Sequence, residues 1–88
     1  MRSMRPEKLL ARIAAGAVRN VDFDDLIRML QWLEFKEIGG RGSHRVFVHA
    51  GVDEILTLQE LRGQAKPYQV RQALALIRQY NLDVEGMP

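Results

Sequence analysis

Apolar positions along the chain form three helical stripes around a β-rich middle. Leu9, Leu10, Ile13, Ala14 and Ala17 keep the spacing of one helical face, which predicts a first helix from Pro6 to Ala17. Pro6 suits the first helical position, where its missing N–H is not needed. Gly16 weakens the end, and so short a helix must pack on something to persist. Arg19-Asn20 reads as a connector. The second helix opens at Val21-Asp22-Phe23-Asp24-Asp25-Leu26. Asp22 can cap it, and Asp24 and Asp25 complement the positive end of its dipole. Val21 and Leu26 have the spacing of a hydrophobic staple. Leu26, Met29, Leu30 and Leu33 form its buried stripe, with Ile27 and Trp32 to one side, towards the first helix. It should end near Leu33 or Glu34, where Glu34 stands in for the usual glycine.

The period then changes. Phe35 to Ile38 predicts a short strand, followed by a glycine-rich loop. Arg45 to His49 alternates and is rich in Val and Phe, which predicts a second strand. Ala50-Gly51-Val52-Asp53 is a turn, and Glu54 to Leu58 the antiparallel strand after it. Leu61 to Lys66 reads as a polar connection. Pro67 opens the last helix, with Val70, Leu74 and Ile77 on one face and Ala73 beside them. The helix should fray near Asn81, and Asp83 to Pro88 reads as a loose tail. Helix, helix, three short antiparallel strands, helix is the pattern of a two-layer α+β domain.

Composition narrows the class. With 88 residues, 47% hydrophobic and 27% charged, the chain suits one domain with one modest core. It has no cysteine, so disulfides and thiolate metal sites are excluded and a cytoplasmic setting is expected. No apolar run is long enough to span a bilayer, so no membrane partner is expected. The start, Met1-Arg2-Ser3-Met4-Arg5-Pro6, is basic but lacks the apolar region of a signal peptide. A formal charge of +2 permits a nucleic-acid partner without requiring one. Between Arg41 and Arg45 there are basic residues and no acid, so the middle is locally positive.

Candidate chemistry gathers at Gly39-Gly40-Arg41-Gly42-Ser43-His44-Arg45. Glycine lets a backbone approach a ligand closely. His44 can exchange a proton near neutral pH, and Arg41 and Arg45 flank it. A phosphate held by these arginines would sit near the imidazole, which is the minimum for RNA strand cleavage with the 2′-hydroxyl as nucleophile. The plain alternative is a histidine that merely ends a strand. His49 lies five positions on and points to the opposite face of a regular strand, so a paired-histidine site is not expected. Ser43 and His44 point apart, which disfavours a Ser-His nucleophile. The glycine run lacks the Lys-Ser/Thr of a P-loop, and no cofactor or metal is expected. Lys66, Tyr68 and Arg71 begin the last helix, where phosphate is attracted; Arg71 and Arg78 read otherwise as a solvated face.

Phe23 to Leu82 resembles the HicA-type toxins of bacterial toxin–antitoxin systems, which are small mRNA interferases. The resemblance runs through Asp25-Leu26-Ile27-Arg28-Met29-Leu30, Leu33-Glu34-Phe35 and Gly42-Ser43-His44 with Val46 and Phe47. It continues through Ile55-Leu56-Thr57-Leu58 to Val70, Arg71, Leu74, Ile77 and Asn81-Leu82. It implies a double-stranded-RNA-binding-domain-like αβββα core at residues 21–88, with residues 1–20 as an N-terminal helical extension. It also implies cleavage of mRNA with His44 as the catalytic residue, and neutralisation by a HicB-type antitoxin; with the 2′-hydroxyl as nucleophile the cleavage is expected to be metal-independent. Arg41, Gly42, Ser43, Arg45 and Lys66 are the expected RNA contacts. A non-catalytic RNA-binding module of the same fold is the alternative. Three positions depart from the family pattern. Arg45 stands where a second histidine is frequent, Leu58-Gln59-Glu60 where Pro-x-His is frequent, and Glu34 where glycine ends the helix. Because the resemblance begins after it, residues 1–20 are expected to be removable without loss of the folded core.

Overall fold

Asp22 caps the start of the second helix, which packs against the first. The computed structural model describes residues 4–82, so the expected tail from Asp83 to Pro88 lies outside the described residues. Helix α2 spans Phe23–Trp32, and the Asp22 carboxylate accepts the Asp25 N–H at 3.0 Å. One orphan amide of the first turn is thereby satisfied. Asp25, itself buried, accepts from the Met4 N–H at 3.3 Å and from Arg28, which ties the N-terminal segment to α2. At the other end Glu34 takes a left-handed φ of 74°. The Glu34 N–H then reaches the Gln31 carbonyl at 2.9 Å and the Phe35 N–H the Leu30 carbonyl at 2.9 Å. These two bonds are the Schellman pair, formed here on a residue that must bear the strain glycine avoids.

Helix α1 spans Pro6–Ala14, shorter than the periodicity suggests, because Gly16 at φ 107° breaks it. Helix α3 spans Pro67–Gln79 and ends in a second Schellman pair on Asn81 at φ 53°. Leu9, Leu10 and Ile13 of α1 join Leu26, Met29, Leu30 and Leu33 and Val70, Ala73, Leu76 and Ile77 in one core. Leu74 is only half-buried, and Leu76 takes the place expected of it. Ile27 is buried, whereas Trp32 stays partly exposed. Arg78, expected as a solvated charge, donates to the Ala14 carbonyl at 3.1 Å and ties α3 to the end of α1.

The sheet has four strands among the described residues, all antiparallel, in the order β1-β2-β3-β4. They are Lys36–Arg41, His44–His49, Val52–Leu61 and Gln64–Ala65. Two expectations are corrected. The glycine stretch is not a long loop: Gly39, Gly40 and Arg41 belong to β1, and only Gly42-Ser43 turn the chain. The connection from Leu61 to Lys66 holds a fourth strand, formed because Arg62 and Gly63 both adopt positive φ, 54° and 81°, as a two-residue hairpin requires. Helices pack on one side of the sheet, where Phe47, Leu56, Leu58 and Ala65 complete the core. The result is a small α+β domain of three helices and an antiparallel sheet.

Gln69 fastens α3 to the sheet. Its buried carboxamide accepts the Gln59 N–H at 2.9 Å and lies 3.4 Å from the Thr57 carbonyl, with its nitrogen as donor. One side chain thus gives β3 an acceptor and a donor beyond the end of the two-residue β4.

β1 contributes no residue to the core and is an edge strand. Its register shifts between Glu37 and Gly39, so Ile38 is the extra residue of a bulge. Gly40, at φ 142°, comes so close to β2 that a Cβ there would lie 2.1 Å from the His44 carbonyl oxygen; at Gly39 a Cβ would meet nothing within 4 Å. Gly40→Ala should therefore destabilise the domain by about 1–3 kcal/mol, the usual cost of a forced backbone conformation. Gly39→Ala should stay within about 0.5 kcal/mol. Urea unfolding of the two variants checks the contrast.

Candidate functional site

The hairpin between β1 and β2 presents the candidate residues. Gly42 at φ 58° occupies the first turn position, where a side chain would be strained. Arg41 and His44 flank the turn as a cross-strand pair, so their side chains emerge on the same face. That face is the one away from the helices. Strand alternation and register place Lys36, Gly39 and Arg41 of β1 there, with His44, Val46 and Val48 of β2 and Thr57 and Gln59 of β3. Arg41, His44 and Gln59 thus form a row across three strands. The next row is Gly39, Val46 and Thr57, in which Gly39 adds no side chain and leaves the face low beside the histidine.

His44 is exposed, and its imidazole makes no hydrogen bond or ion pair with any described residue. His49 is engaged: its Nδ1 accepts the Gly51 N–H at 2.9 Å and its ring meets Phe35 edge-on at 5.0 Å. The two histidines lie on opposite faces, as the spacing suggests. Ser43 serves through its carbonyl, which accepts the Glu60 N–H at 3.1 Å and holds the turn against β3.

Arg45 is not beside His44. Adjacent strand residues point apart, and Arg45 projects to the helix face. There its guanidinium forms a two-pronged pair with Glu37, both bonds 2.8 Å, and lies 5.6 Å from the centre of the Phe23 ring. The bonds from Arg45 hold the Glu37 carboxyl below its ordinary pKa and raise that of Arg45. The pair fastens the edge strand to β2 and to α2. Of the two arginines expected to flank His44, only Arg41 therefore shares its face.

Lys66 precedes α3 and is half-buried; its carbonyl accepts the N–H groups of Gln69 and Val70. Gln69 in turn bonds the backbone of Gln59, the cross-strand neighbour of His44. Gln59 enters the sequence pattern only within Leu58-Gln59-Glu60, with no place beside His44. Its proximity to His44 depends on the pairing of β2 with β3, although alternation from Leu58 already places it on the open face. No set of three or more His, Asp or Glu side chains converges as a metal site among the described residues.

What the row can do follows from its groups. A solvent-facing imidazole can accept or donate a proton, a cross-strand guanidinium can bind phosphate oxygens, and a carboxamide can donate or accept a hydrogen bond. No protein-family model, curated protein or solved structure matches the chain.

Proposed function

We propose that the protein is an endoribonuclease, a HicA-type mRNA interferase toxin neutralised in the cytoplasm by a HicB-type antitoxin. The observation that carries the reading is the exposed imidazole of His44, bonded to no described residue and paired across the hairpin with Arg41 on an open, locally basic sheet face. The element order α2, β1, β2, β3, α3 is compatible with the double-stranded-RNA-binding-domain-like core that the sequence resemblance implies, with α1 and β4 added. No described helix is long and apolar enough to cross a membrane.

In the proposed reaction, neutral His44 takes the proton of a ribose 2′-hydroxyl. The 2′-oxygen attacks the neighbouring phosphorus and the bond from phosphorus to O5′ breaks. The imidazolium returns its proton to O5′, leaving a 2′,3′-cyclic phosphate and a 5′-hydroxyl. Arg41 offsets the charge that builds on the phosphoryl oxygens, and the backbone of Gly42 and Ser43 lets the RNA approach. Because the nucleophile belongs to the substrate, the step needs no metal-bound water.

A second reading, a non-catalytic RNA-binding module, is favoured by one observation: with Arg45 on the other face, His44 is the sole titratable side chain of its row besides Arg41. Both readings require RNA on the open face, and salt dependence tests that. Affinity should fall as salt rises, and Arg41→Ala should flatten the log–log slope by about 0.7. Arg45→Ala should leave the slope unchanged. Affinity independent of salt, or a slope sensitive only to Arg45, contradicts this placement of RNA.

A further inference from the structure

A second cationic site lies away from the open sheet face. An open cleft of about 480 Å³ lies between the α1–α2 connection, which supplies Arg19 and Asn20, and the start of α3, which supplies Tyr68 and Arg71; Gln64 and Ala65 of β4 also line it. That volume is within the roughly 300–1,000 Å³ of small-molecule sites. No acidic residue among the described ones lines it. Arg5, Arg28 and Arg45 each pair with a carboxylate, whereas Arg19 and Arg71 pair with none among the described residues. Both arginines line the one cleft, so an anion bound there meets positive charge from two elements. Guanidinium groups match phosphate through paired N–H donors. Tyr68 adds an aromatic ring that is 56% exposed, on a surface where a ring of that size has no packing reason to be.

The walls are fixed before any ligand arrives. Asn20 sits in the left-handed region at φ 57°. The Ala65 N–H donates to the Val21 carbonyl at 2.9 Å, and the Phe23 N–H to the Gly63 carbonyl at 2.8 Å, joining the connection to the β3–β4 hairpin. Gln69 holds the first turn of α3 to β3 and lies 3.4 Å from the Tyr68 hydroxyl. A site held this way loses little freedom on binding.

We propose that this cleft binds one nucleotide of a single-stranded RNA, its phosphate on Arg19 and Arg71 and its base stacked on Tyr68. The identity of the polymer rests on the ribonuclease reading; recognition of a phosphate joined to a base does not. Stacking on an aromatic ring is tolerant of sequence, so the cleft adds affinity without selecting a base.

The test uses the full chain carrying His44→Ala, which slows turnover, with amide resonances followed during titration with inorganic phosphate, AMP and a short oligoadenylate. AMP should shift Tyr68 and Arg71, and phosphate alone should shift them less. Tyr68→Ala should weaken oligoadenylate binding about tenfold and Tyr68→Phe should not. Arg19→Ala and Arg71→Ala should each flatten the salt slope by about 0.7. Equal responses to phosphate and AMP overturn the nucleotide assignment. Unchanged RNA affinity in the Arg19→Ala, Arg71→Ala double variant, with circular dichroism intact, overturns the site while leaving the open-face reading standing. AMP bound in the cleft of a protein that does not cleave RNA has the opposite meaning: the site stands and the ribonuclease reading falls.

Discussion

His44→Ala should lower single-turnover RNA cleavage by about 10²–10⁴-fold, the range a general acid or base contributes. The side chain is exposed and bonds no described residue, so its removal should leave folding and RNA affinity nearly unchanged. His49→Ala should behave in the opposite way. It removes the bond to the Gly51 N–H and the contact with Phe35, so it should cost stability on the order of 1 kcal/mol with little change in rate. A HicB-type antitoxin should still bind His44→Ala, because an interface covers far more surface than one imidazole. Cleavage rates, affinity, complex formation and urea midpoints of the two variants separate these outcomes. A larger rate loss at His49 than at His44 would contradict the assignment of faces along β2.

Deleting residues 1–20 should leave a chain without cooperative unfolding. The family resemblance begins after these residues and by itself implies that they are dispensable. Burial in the structure predicts otherwise. Leu9, Leu10 and Ile13 are 5%, 3% and 1% exposed within the common core. At about 1.5–3 kcal/mol for each large side chain, their loss together is about 5–9 kcal/mol. Whole domains are stable by only about 5–15 kcal/mol. The deletion also removes the Met4 N–H from buried Asp25 and the Ala14 carbonyl from Arg78. A sharp thermal transition in the truncated chain, near that of the full chain, would show that α1 is an ornament on an independent core.

The helical parts were legible because a 3.6-residue period needs only local sequence. Leu26, Met29, Leu30 and Leu33 fall on one face whatever they later touch, and Asp22 caps through a residue three positions away. The sheet was legible in part. Val46, Phe47 and Val48 mark β2, but Gly39 and Gly40 have no strand propensity, and they enter β1 only because β2 offers a ladder at close approach. β4 is two residues long and carries no period at all. Its existence depends on the Arg62-Gly63 turn and on the bonds linking the β3–β4 hairpin to the start of α2.

The candidate site was legible as a histidine with a basic neighbour, and the neighbour was the less certain half. Alternation separates Ser43 from His44, and it separates Arg45 from His44 just as firmly. Arg45 looked like a phosphate ligand because it is adjacent in sequence. Its true partner, Glu37, lies on the other side of the hairpin and is found only through the register of β1 on β2. Gln59 was missed for the same reason: cross-strand neighbours are set by turn lengths and bulges, which sequence spacing reveals poorly.

The most direct measurement is the chemistry of the cut ends. Purified protein, in the presence of a chelator, is given a single-stranded RNA and the same strand with 2′-deoxyribose throughout, and the products are weighed by mass spectrometry. Cleavage of the ribose strand alone, with a 2′,3′-cyclic phosphate on one fragment and a 5′-hydroxyl on the other, and its loss in His44→Ala, is the predicted result. Cleavage of both strands, 5′-phosphate ends, or undiminished cutting by His44→Ala would contradict histidine-driven attack by the 2′-hydroxyl.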